Sequence, residues 1–291
     1  VQASMRAETD QRVALESELR LAIERKQIKV LYQPVLRIDN DELAGFEALI
    51  RWDHPTLGQL NPIDFMPMAT EADLMPKLGN HVLERAVKEA AKWQKELPRL
   101  QDPLFVSVNI SSRDLFRQEL VQDLRAILGR ETVPRGCVRL EVTESLVMEN
   151  PEQAADVLEW LKSAGAGLSI DDFGTGYSSL AYLGRFAFDT IKIDRSLVHD
   201  ASTAPAGAAI VRSIVALAHE LGKTVVAEGV ETEEDASFLR TVGCEYAQGF
   251  LYGEPMTDKE VFGLLAELRK EDRRAAGRGG LFSALLKRTR R

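Results

Sequence analysis

Acidic and amide side chains stand among apolar residues in several short segments of this 291-residue chain. Six such positions lie at or near the ends of segments that resemble β-strands: Glu47, Asn109, Glu141, Asp171, Asp172 and Glu228. A buried carboxylate costs several kcal/mol unless a cation compensates it, and too few basic residues lie on these segments to neutralise the set. The pattern therefore predicts one divalent-metal site on which all six side chains converge.

All of these ligands would bind through oxygen, which suits hard cations such as Mg²⁺ or Mn²⁺. Zinc prefers His and Cys ligands, which do not occur here at metal-binding spacing. The adjacent Asp171 and Asp172 can serve two ions, one of the pair acting as a bridge. Two ions about 3.5–4 Å apart would generate a hydroxide and stabilise the charge of an in-line displacement at phosphorus. Ca²⁺, which is larger and more loosely coordinated, is expected to inhibit.

The strands that carry Glu47 and Lys192 each present further groups on the same face. Side chains alternate along a strand, so Leu49 and Arg51 share the face of Glu47, with Glu47 and Arg51 about 13 Å apart. We expect Glu47 to hold a metal, Leu49 to line the substrate pocket and Arg51 to contact a phosphate, unless Arg51 is the counterion of Glu47. Lys192 and Asp194 also share a face. Lys192 would orient the attacking water or stabilise the pentavalent oxygens, unless it pairs with Asp194.

Two later segments contribute further candidates. Glu228 and Glu231 lie in one short run, where Glu228 is expected to add a metal ligand and Glu231 an anchor behind the ligands. Ordinary capping or packing explains Glu231 equally well. Gln248, in the last apolar segment, is expected to hold water.

The elements that position these residues follow from eight apolar or β-branched runs separated mostly by helical patterns. The runs are Ile28–Leu36, Gly45–Trp52, Leu104–Ile110, Val138–Thr143, Gly167–Phe173, Thr190–Asp194, Thr224–Val230 and Tyr246–Tyr252. Alternating strands and helices indicate a parallel sheet, and eight strands indicate a barrel, at whose C-terminal strand ends the site should lie.

The first connection breaks the pattern. Arg37 to Ala44 is too short for a crossover helix and contains Asn40-Asp41, so the first two strands should form an antiparallel hairpin. The expected fold is α/β, a modified TIM-type (β/α)8 barrel with the first strand antiparallel to the rest.

Composition divides the chain into three parts: a linker helix in residues 1–27, centred on about Thr9 to Lys26, a barrel in 28–268 and a basic tail in 269–291. Residues 1–268 carry 28 Lys and Arg against 43 Asp and Glu, which argues against binding a nucleic-acid polymer. The tail could touch acidic lipid or a partner, but a disordered, solvated end is the stronger explanation. No run is long and apolar enough to span a membrane, and unpatterned Cys137 and Cys244 favour a cytoplasmic protein.

Several motifs in order resemble the EAL-domain family of cyclic di-GMP phosphodiesterases. They are Glu47-Ala48-Leu49-x-Arg51-Trp52, Val108-Asn109-Ile110-Ser111, Glu141-Val-Thr-Glu144-Ser145, Asp171-Asp-Phe-Gly-Thr-Gly-Tyr-Ser-Ser-Leu180, Ile191-Lys-Ile-Asp194, Ala227-Glu-Gly-Val-Glu231 and Gln248-Gly249. The resemblance covers roughly residues 28–265. It implies hydrolysis of cyclic di-GMP to linear pGpG.

The resemblance also implies a role for each residue of the site. Glu47, Asn109, Glu141 and Asp171 would hold one metal, and Asp171 and Asp172, assisted by Glu228, the second. Lys192 would contact the nucleophilic water, Arg51 a phosphate and Gln33 a guanine. Residues Asp172 to Gly176 would form a mobile loop that Glu144 holds and that is often coupled to dimerisation, although capping or packing also explains Glu144.

Alternative functions remain open on the sequence. A receptor domain could bind the dinucleotide without hydrolysing it and relay a signal through the N-terminal helix, which resembles the linker that follows a GGDEF cyclase domain. No GGDEF motif occurs in the chain itself, so an upstream sensory or GGDEF-like domain would belong to a longer protein. An enolate-forming enzyme of another metal barrel is a third possibility, because carboxylates at its strand ends also hold Mg²⁺.

Overall fold

The first strand of the barrel runs antiparallel to both of its neighbours, as the short first connection predicts. The computed structural model describes residues 13–97, 102–174 and 183–274, with side chains to residue 270. The strands are β1 (Ile28–Arg37), β2 (Leu43–His54), β3 (Gly58–Leu60), β4 (Phe105–Asn109), β5 (Val138–Thr143), β6 (Gly167–Phe173), β7 (Thr190–Ile193), β8 (Thr224–Ala227) and β9 (Tyr246–Gln248).

Eight of these strands close a ring in the order β1-β9-β8-β7-β6-β5-β4-β2, because β2 also pairs with β1. β1 is antiparallel to β2 and β9, whereas the pairs from β2 round to β9 are parallel. The sequence did not indicate β3, which forms a hairpin with the end of β2. The prediction of a modified barrel with one reversed strand is confirmed.

Helices cover the outside of the ring. They are α1 (13–22), α2 (Pro62–Glu71), α3 (Met75–Glu96), α4 (Ser112–Leu115), α5 (Leu120–Leu128), α6 (Glu144–Glu149), α7 (Pro151–Ala164), α8 (Arg195–Thr203), α9 (Pro205–Glu220), α10 (Glu233–Val242) and α11 (Asp258–Arg274). Local sequence fixes several ends: Asn150 accepts a hydrogen bond from Gln153 N before Pro151, and Gly165 ends the same helix in the left-handed conformation.

The predicted strands around Thr224 and Tyr246 are too long, because glycines turn the chain out of the sheet. β8 ends at Ala227 rather than Val230, and Gly229 follows at φ 65° with no room for a Cβ beside Arg195. β9 ends at Gln248, where Gly249 approaches Val230 so closely that a Cβ would lie 2.1 Å from the Val230 oxygen. Glu228 thus lies just beyond a strand end, directed at the mouth of the barrel.

The N-terminal helix packs on the outside of the barrel. Leu19 and Ala22 are buried in one cluster with Trp52 and Phe65. α11 continues through position 268 to Arg274, and the basic tail beyond that lies outside the described residues. The three-part division of the chain therefore stays a prediction. In the described part of the chain, no helix has the length and apolar character needed to cross a membrane.

Candidate metal centre

Strand register brings the predicted ligands to one end of the barrel. Glu47 on β2 pairs with Ser107 on β4, and Asn109, the last residue of β4, pairs with Glu141 on β5. Asp171 pairs with Thr143, one step further toward the C-terminal end of the sheet. Since parallel strands end together, these side chains face a common space, as in other α/β barrels.

The ammonium of Lys192 lies at the centre of this space. Its Nζ is 2.6 Å from Glu228 Oε1, 2.7 Å from Glu141 Oε2, 3.4 Å from Glu47 Oε2 and 3.5 Å from Asp171 Oδ2. The side chain is 2% exposed. The sequence suggested Asp194 as an ion-pair partner. Among the described residues, Lys192 instead pairs with four carboxylates that were predicted to bind metal.

Two amide side chains orient Glu47. Asn109 Nδ2 donates to Glu47 Oε1 at 2.8 Å, and Gln248 Nε2 donates to Glu47 Oε2 at 2.8 Å. Gln248 Nε2 also donates to Gln33 Oε1 at 3.0 Å, and Gln33 Nε2 donates to the Gly253 carbonyl at 3.1 Å. A chain of hydrogen bonds therefore links Gln33, a predicted substrate contact, to a predicted metal ligand. The sequence placed Gln248 near water and missed this connection.

Asp171, Asp172 and Glu228 form a second group, in which one carboxylate oxygen from each lies within 4.8 Å of the other two. Asp172 has φ 54°, a left-handed conformation that non-glycine residues rarely adopt and that costs about 1–3 kcal/mol. The Asp172 amide donates to Asp171 Oδ1 at 2.9 Å. The strained backbone places two consecutive carboxylates on the same side of the strand end, which regular alternation would not allow.

The cluster is rich in carboxyl groups. Those of Glu47, Glu141, Asp171 and Glu228 lie within 3.5 Å of the Lys192 ammonium, and Asp172 adjoins Asp171 and Glu228. The carboxyl groups outnumber the ammonium, and divalent cations would balance the charge that forms when these groups ionise. The donors are all oxygen atoms, and the buried Gln248 Oε1 has no hydrogen-bond partner among the described residues. This donor set fits hard divalent cations.

The crowding of like charges shifts the ionisation of the cluster. Burial raises the pKa of Glu228 to about 8, against the lowering effect of Lys192. Burial likewise raises the pKa of Glu141 well above its ordinary value, with Glu47 and Asp171 adding to the shift. Burial also opposes ionisation of Glu47, but Lys192, Gln248 and Asn109 together hold its pKa below the ordinary value. Such opposed shifts within one cleft are typical of functional sites.

Of the outer residues, Glu144 contacts the predicted loop. Its Oε2 accepts a hydrogen bond from Gly174 N at 3.0 Å, and its side chain is buried. The loop is described only as far as Gly174, so its continuation to Gly176 lies outside the described residues.

The remaining predicted residues lie around the cluster rather than in it. Asp194 accepts hydrogen bonds from Ser196 N and Oγ and begins α8. Glu231 is exposed. Leu49 and Arg51 are half-buried on β2, and Arg51 Nη1 donates to the Ile50 carbonyl at 2.8 Å. Glu47 lies near enough to favour the charged form of Arg51, but in the described part of the chain the two side chains do not form an ion pair within 4 Å.

Comparison with known proteins gives matches that include the residues of the candidate metal centre. The family model described as "EAL domain" matches residues 16–255. The bifunctional diguanylate cyclase/cyclic di-GMP phosphodiesterase MucR of Pseudomonas aeruginosa is 38% identical over 265 residues, which are 91% of this chain and 38% of MucR. The cyclic di-GMP phosphodiesterase PdeR of Escherichia coli is 39% identical over 242 residues, 83% of this chain and 36% of PdeR.

A solved structure supports the same relationship. A MucR phosphodiesterase in complex with c-di-GMP aligns with a TM-score of 0.79 at 40% identity, over 84% of this chain and 98% of that one. The chain spans less than two fifths of the length of the MucR and PdeR sequences it matches.

Proposed function

The chain belongs to the EAL domain family, and on that premise we propose that it hydrolyses cyclic di-GMP to linear pGpG with the aid of two divalent cations, Mg²⁺ or Mn²⁺. One observation carries the proposal: four carboxylates surround a buried ammonium at the mouth of the barrel, and Asp172 adjoins two of them. Such a cluster is costly to keep unless it binds cations. The names of MucR and PdeR, both phosphodiesterases, support the substrate and the reaction.

In this proposal, Glu47, Asn109, Glu141 and Asp171 hold one cation, and Asp171, Asp172 and Glu228 hold the other. When bound, the cations acidify water and neutralise charge on the phosphodiester. Gln248 and Asn109 fix the orientation of Glu47 before any ion arrives, since both donate to its carboxylate at 2.8 Å. Such hydrogen bonds from surrounding groups orient metal ligands and tune metal affinity.

The remaining residues act on water and substrate. The Lys192 ammonium, fixed by Glu141 and Glu228, donates a hydrogen bond to the attacking water. Arg51 binds a phosphate through a guanidinium without a carboxylate partner in the described residues, and Leu49 lines the same side of the pocket. Gln33, anchored by the Gly253 carbonyl, presents a polar edge to a guanine. Glu231 and Asp194 support the site from outside, and Glu144 holds the loop at Gly174.

The longer relatives suggest a regulatory setting. Since MucR extends well beyond the matched region, we include an upstream sensory or GGDEF-like domain in the proposal, joined through α1. A homodimer that influences the Asp172–Gly176 loop belongs to the same proposal.

The test is a hydrolysis assay with Mg²⁺ or Mn²⁺ that separates cyclic di-GMP from pGpG by chromatography. Glu47→Gln should lose activity by about 100-fold or more, because it removes a ligand charge while keeping the shape. Glu42→Gln, an exposed carboxyl on the same hairpin, should leave the rate unchanged. A folded wild type that binds the dinucleotide but never cleaves it with either metal would overturn hydrolysis and favour a receptor.

A further inference from the structure

Two cavities open at the end of the barrel opposite the metal centre. Their volumes are about 550 Å³ and about 340 Å³, and both are lined by Arg135, Gly136, Arg139 and Tyr246. These residues lie at the N-terminal ends of strands or in the loop that leads into β5. The proposed metal ligands lie at or toward the C-terminal ends of the same ring of strands, so the cavities are separate from that site.

Arg139 lies between the two cavities with part of its hydrogen-bonding capacity unused. Its guanidinium carbon is 3.6 Å from the centre of the Phe105 ring and 5.8 Å from that of Tyr246. Its Nη1 is buried and has no hydrogen-bond partner among the described residues. Leaving a buried charged donor unsatisfied costs about 1–3 kcal/mol or more. A ligand that accepts from this guanidinium would remove that cost.

The backbone is built to admit the Arg139 side chain. Gly167, which pairs with Arg139 across the sheet, has no room for a side chain: a Cβ there would lie 2.9 Å from Arg139 Cγ and 2.9 Å from the Gly136 oxygen. Arg139 therefore occupies space that the side chain of almost any other residue at position 167 would fill. The position of Arg139 at this end of the barrel depends on the glycine at position 167.

The larger cavity has an excess of positive charge in an acidic protein. It is lined by Arg135, Arg139 and Lys162 against one carboxylate, Asp189. Asp189 is already engaged, since it pairs with Lys162 and accepts from Leu168 N at 3.0 Å. Neither guanidinium forms an ion pair in the part of the chain that the structure describes.

Arg135 reaches the cavity from an exposed loop position. Its Nη2 donates to the carbonyls of Lys162 and Ser163, at 3.1 and 3.2 Å, near the C-terminus of α7. These carbonyls hold the guanidinium at the edge of the cavity without neutralising its full charge. Two positive charges therefore face a cavity in a chain whose formal net charge is −8.

We propose that this end of the barrel binds a phosphomonoester, with its phosphate between Arg135 and Arg139 and its organic part against Phe188 and Tyr246. A phosphate group carries about −1.5 to −2 charges at pH 7, which matches two guanidiniums that form no ion pair among the described residues. Forked guanidiniums suit phosphate oxygens better than a point charge does. The larger cavity falls within the roughly 300–1,000 Å³ range of small-molecule sites, so it has room for more than a free phosphate ion.

Binding can be tested apart from the proposed hydrolysis, on the full chain stripped of metal in Tris-chloride buffer. Calorimetric titrations would use inorganic phosphate and adenosine 5′-monophosphate, with adenosine as the probe that lacks a phosphate. We expect saturable binding of both phosphates and none of adenosine. Arg139→Gln and Arg135→Gln should each weaken binding by about tenfold or more, because each removes a charged hydrogen-bond donor.

Two controls locate the site. Arg130→Gln, which removes an exposed arginine paired with Glu84, should bind both phosphates as wild type does. Glu47→Gln should also bind them normally, because the metal centre takes no part. Circular dichroism would check folding, and Arg135→Gln keeps the test available if Arg139→Gln fails to fold.

Several results would overturn the proposal. The first is the absence of saturable phosphate binding up to about 10 mM, well above the range of a specific site. The second is phosphate binding that the folded Arg135→Gln variant retains in full. The third is binding of inorganic phosphate without binding of adenosine 5′-monophosphate. A chain that passes these tests and yet fails to hydrolyse cyclic di-GMP would leave this site intact and refute only the proposed reaction.

Discussion

Replacing Lys192 with methionine would remove the ammonium that four carboxylates surround while keeping most of the side-chain volume. In the metal-free protein the change leaves Glu47, Glu141, Asp171 and Glu228 without the cation that lies 2.6–3.5 Å from them. Because these groups are held in place by the barrel, they cannot move apart to relieve the repulsion.

The expected loss of stability follows from the burial of the pair. Removing one partner of a buried ion pair typically costs about 3–5 kcal/mol of folding stability. Because Lys192 has several partners, the loss for the metal-free variant near pH 8 should lie toward the upper end of that range. For a domain of this size that corresponds to a fall in Tm of roughly 6–20 °C. The loss should shrink at lower pH, because protonation of Glu228 and Glu141 removes the uncompensated charges.

The assay is thermal unfolding of wild type and Lys192→Met between pH 5.5 and 8.5, with and without Mg²⁺. Metal should restore much of the stability but none of the hydrolysis, since Lys192 is proposed to act on water rather than as a ligand. Lys77→Met, which breaks an exposed pair with Glu24, is the matched control and should cost at most about 1 kcal/mol. An equal Tm for Lys192→Met and wild type at pH 8 would refute the account of the cluster.

Three further predictions concern pH, metal and backbone. Metal-free wild type should lose stability as pH rises from about 5 to 8, because Glu228, with a pKa of about 8 in the folded state, holds a proton there that the unfolded chain has released. Saturating Mg²⁺ should reduce this pH dependence of the stability. A Tm that rises across this pH range would contradict the raised pKa of Glu228. Ca²⁺ added to the Mg²⁺ enzyme should inhibit cleavage of cyclic di-GMP, whereas Ca²⁺-supported turnover equal to that with Mg²⁺ would count against the site. Gly249→Ala should destabilise the fold by about 2 kcal/mol or more in urea unfolding, because its Cβ would meet the Val230 oxygen at 2.1 Å. Gly263→Ala, in open space on α11, should be neutral or stabilising. Equal effects of the two substitutions would show that the contact with Val230 does not limit position 249.

Features that depend on local sequence could be predicted. The short Arg37–Ala44 connection required a reversed first strand, and β1 is antiparallel to both neighbours. The cap at Asn150 follows from its own residue and the next few. The ends of β8 and β9 could not be predicted, because they depend on contacts between residues distant in sequence. Gly229 lies against Arg195, and Gly249 lies against Val230.

The candidate site likewise has features that could be predicted from the sequence and features that could not. That acidic residues gather at strand ends follows from parallel strands, and the structure brings Glu47, Glu141 and Asp171 together around one ammonium. Which groups Lys192 contacts depends on the register of all strands between β2 and β8, which no single segment encodes. The positively charged cavities at the opposite end could not be predicted either. Arg139 is two residues from Glu141 on the same strand, and no local motif marks it as part of a second site.

An anomalous difference map from crystals grown with Mn²⁺ would decide whether the carboxylate cluster binds two cations. We expect two peaks about 3.5–4 Å apart at the mouth of the barrel. One should lie beside Glu47 and Glu141 and the other beside Asp172 and Glu228, with Asp171 between them. Asp171→Asn should lose at least one of the two peaks. A map with no peak in the cluster, or with Mn²⁺ only on surface carboxylates, would contradict the two-cation site.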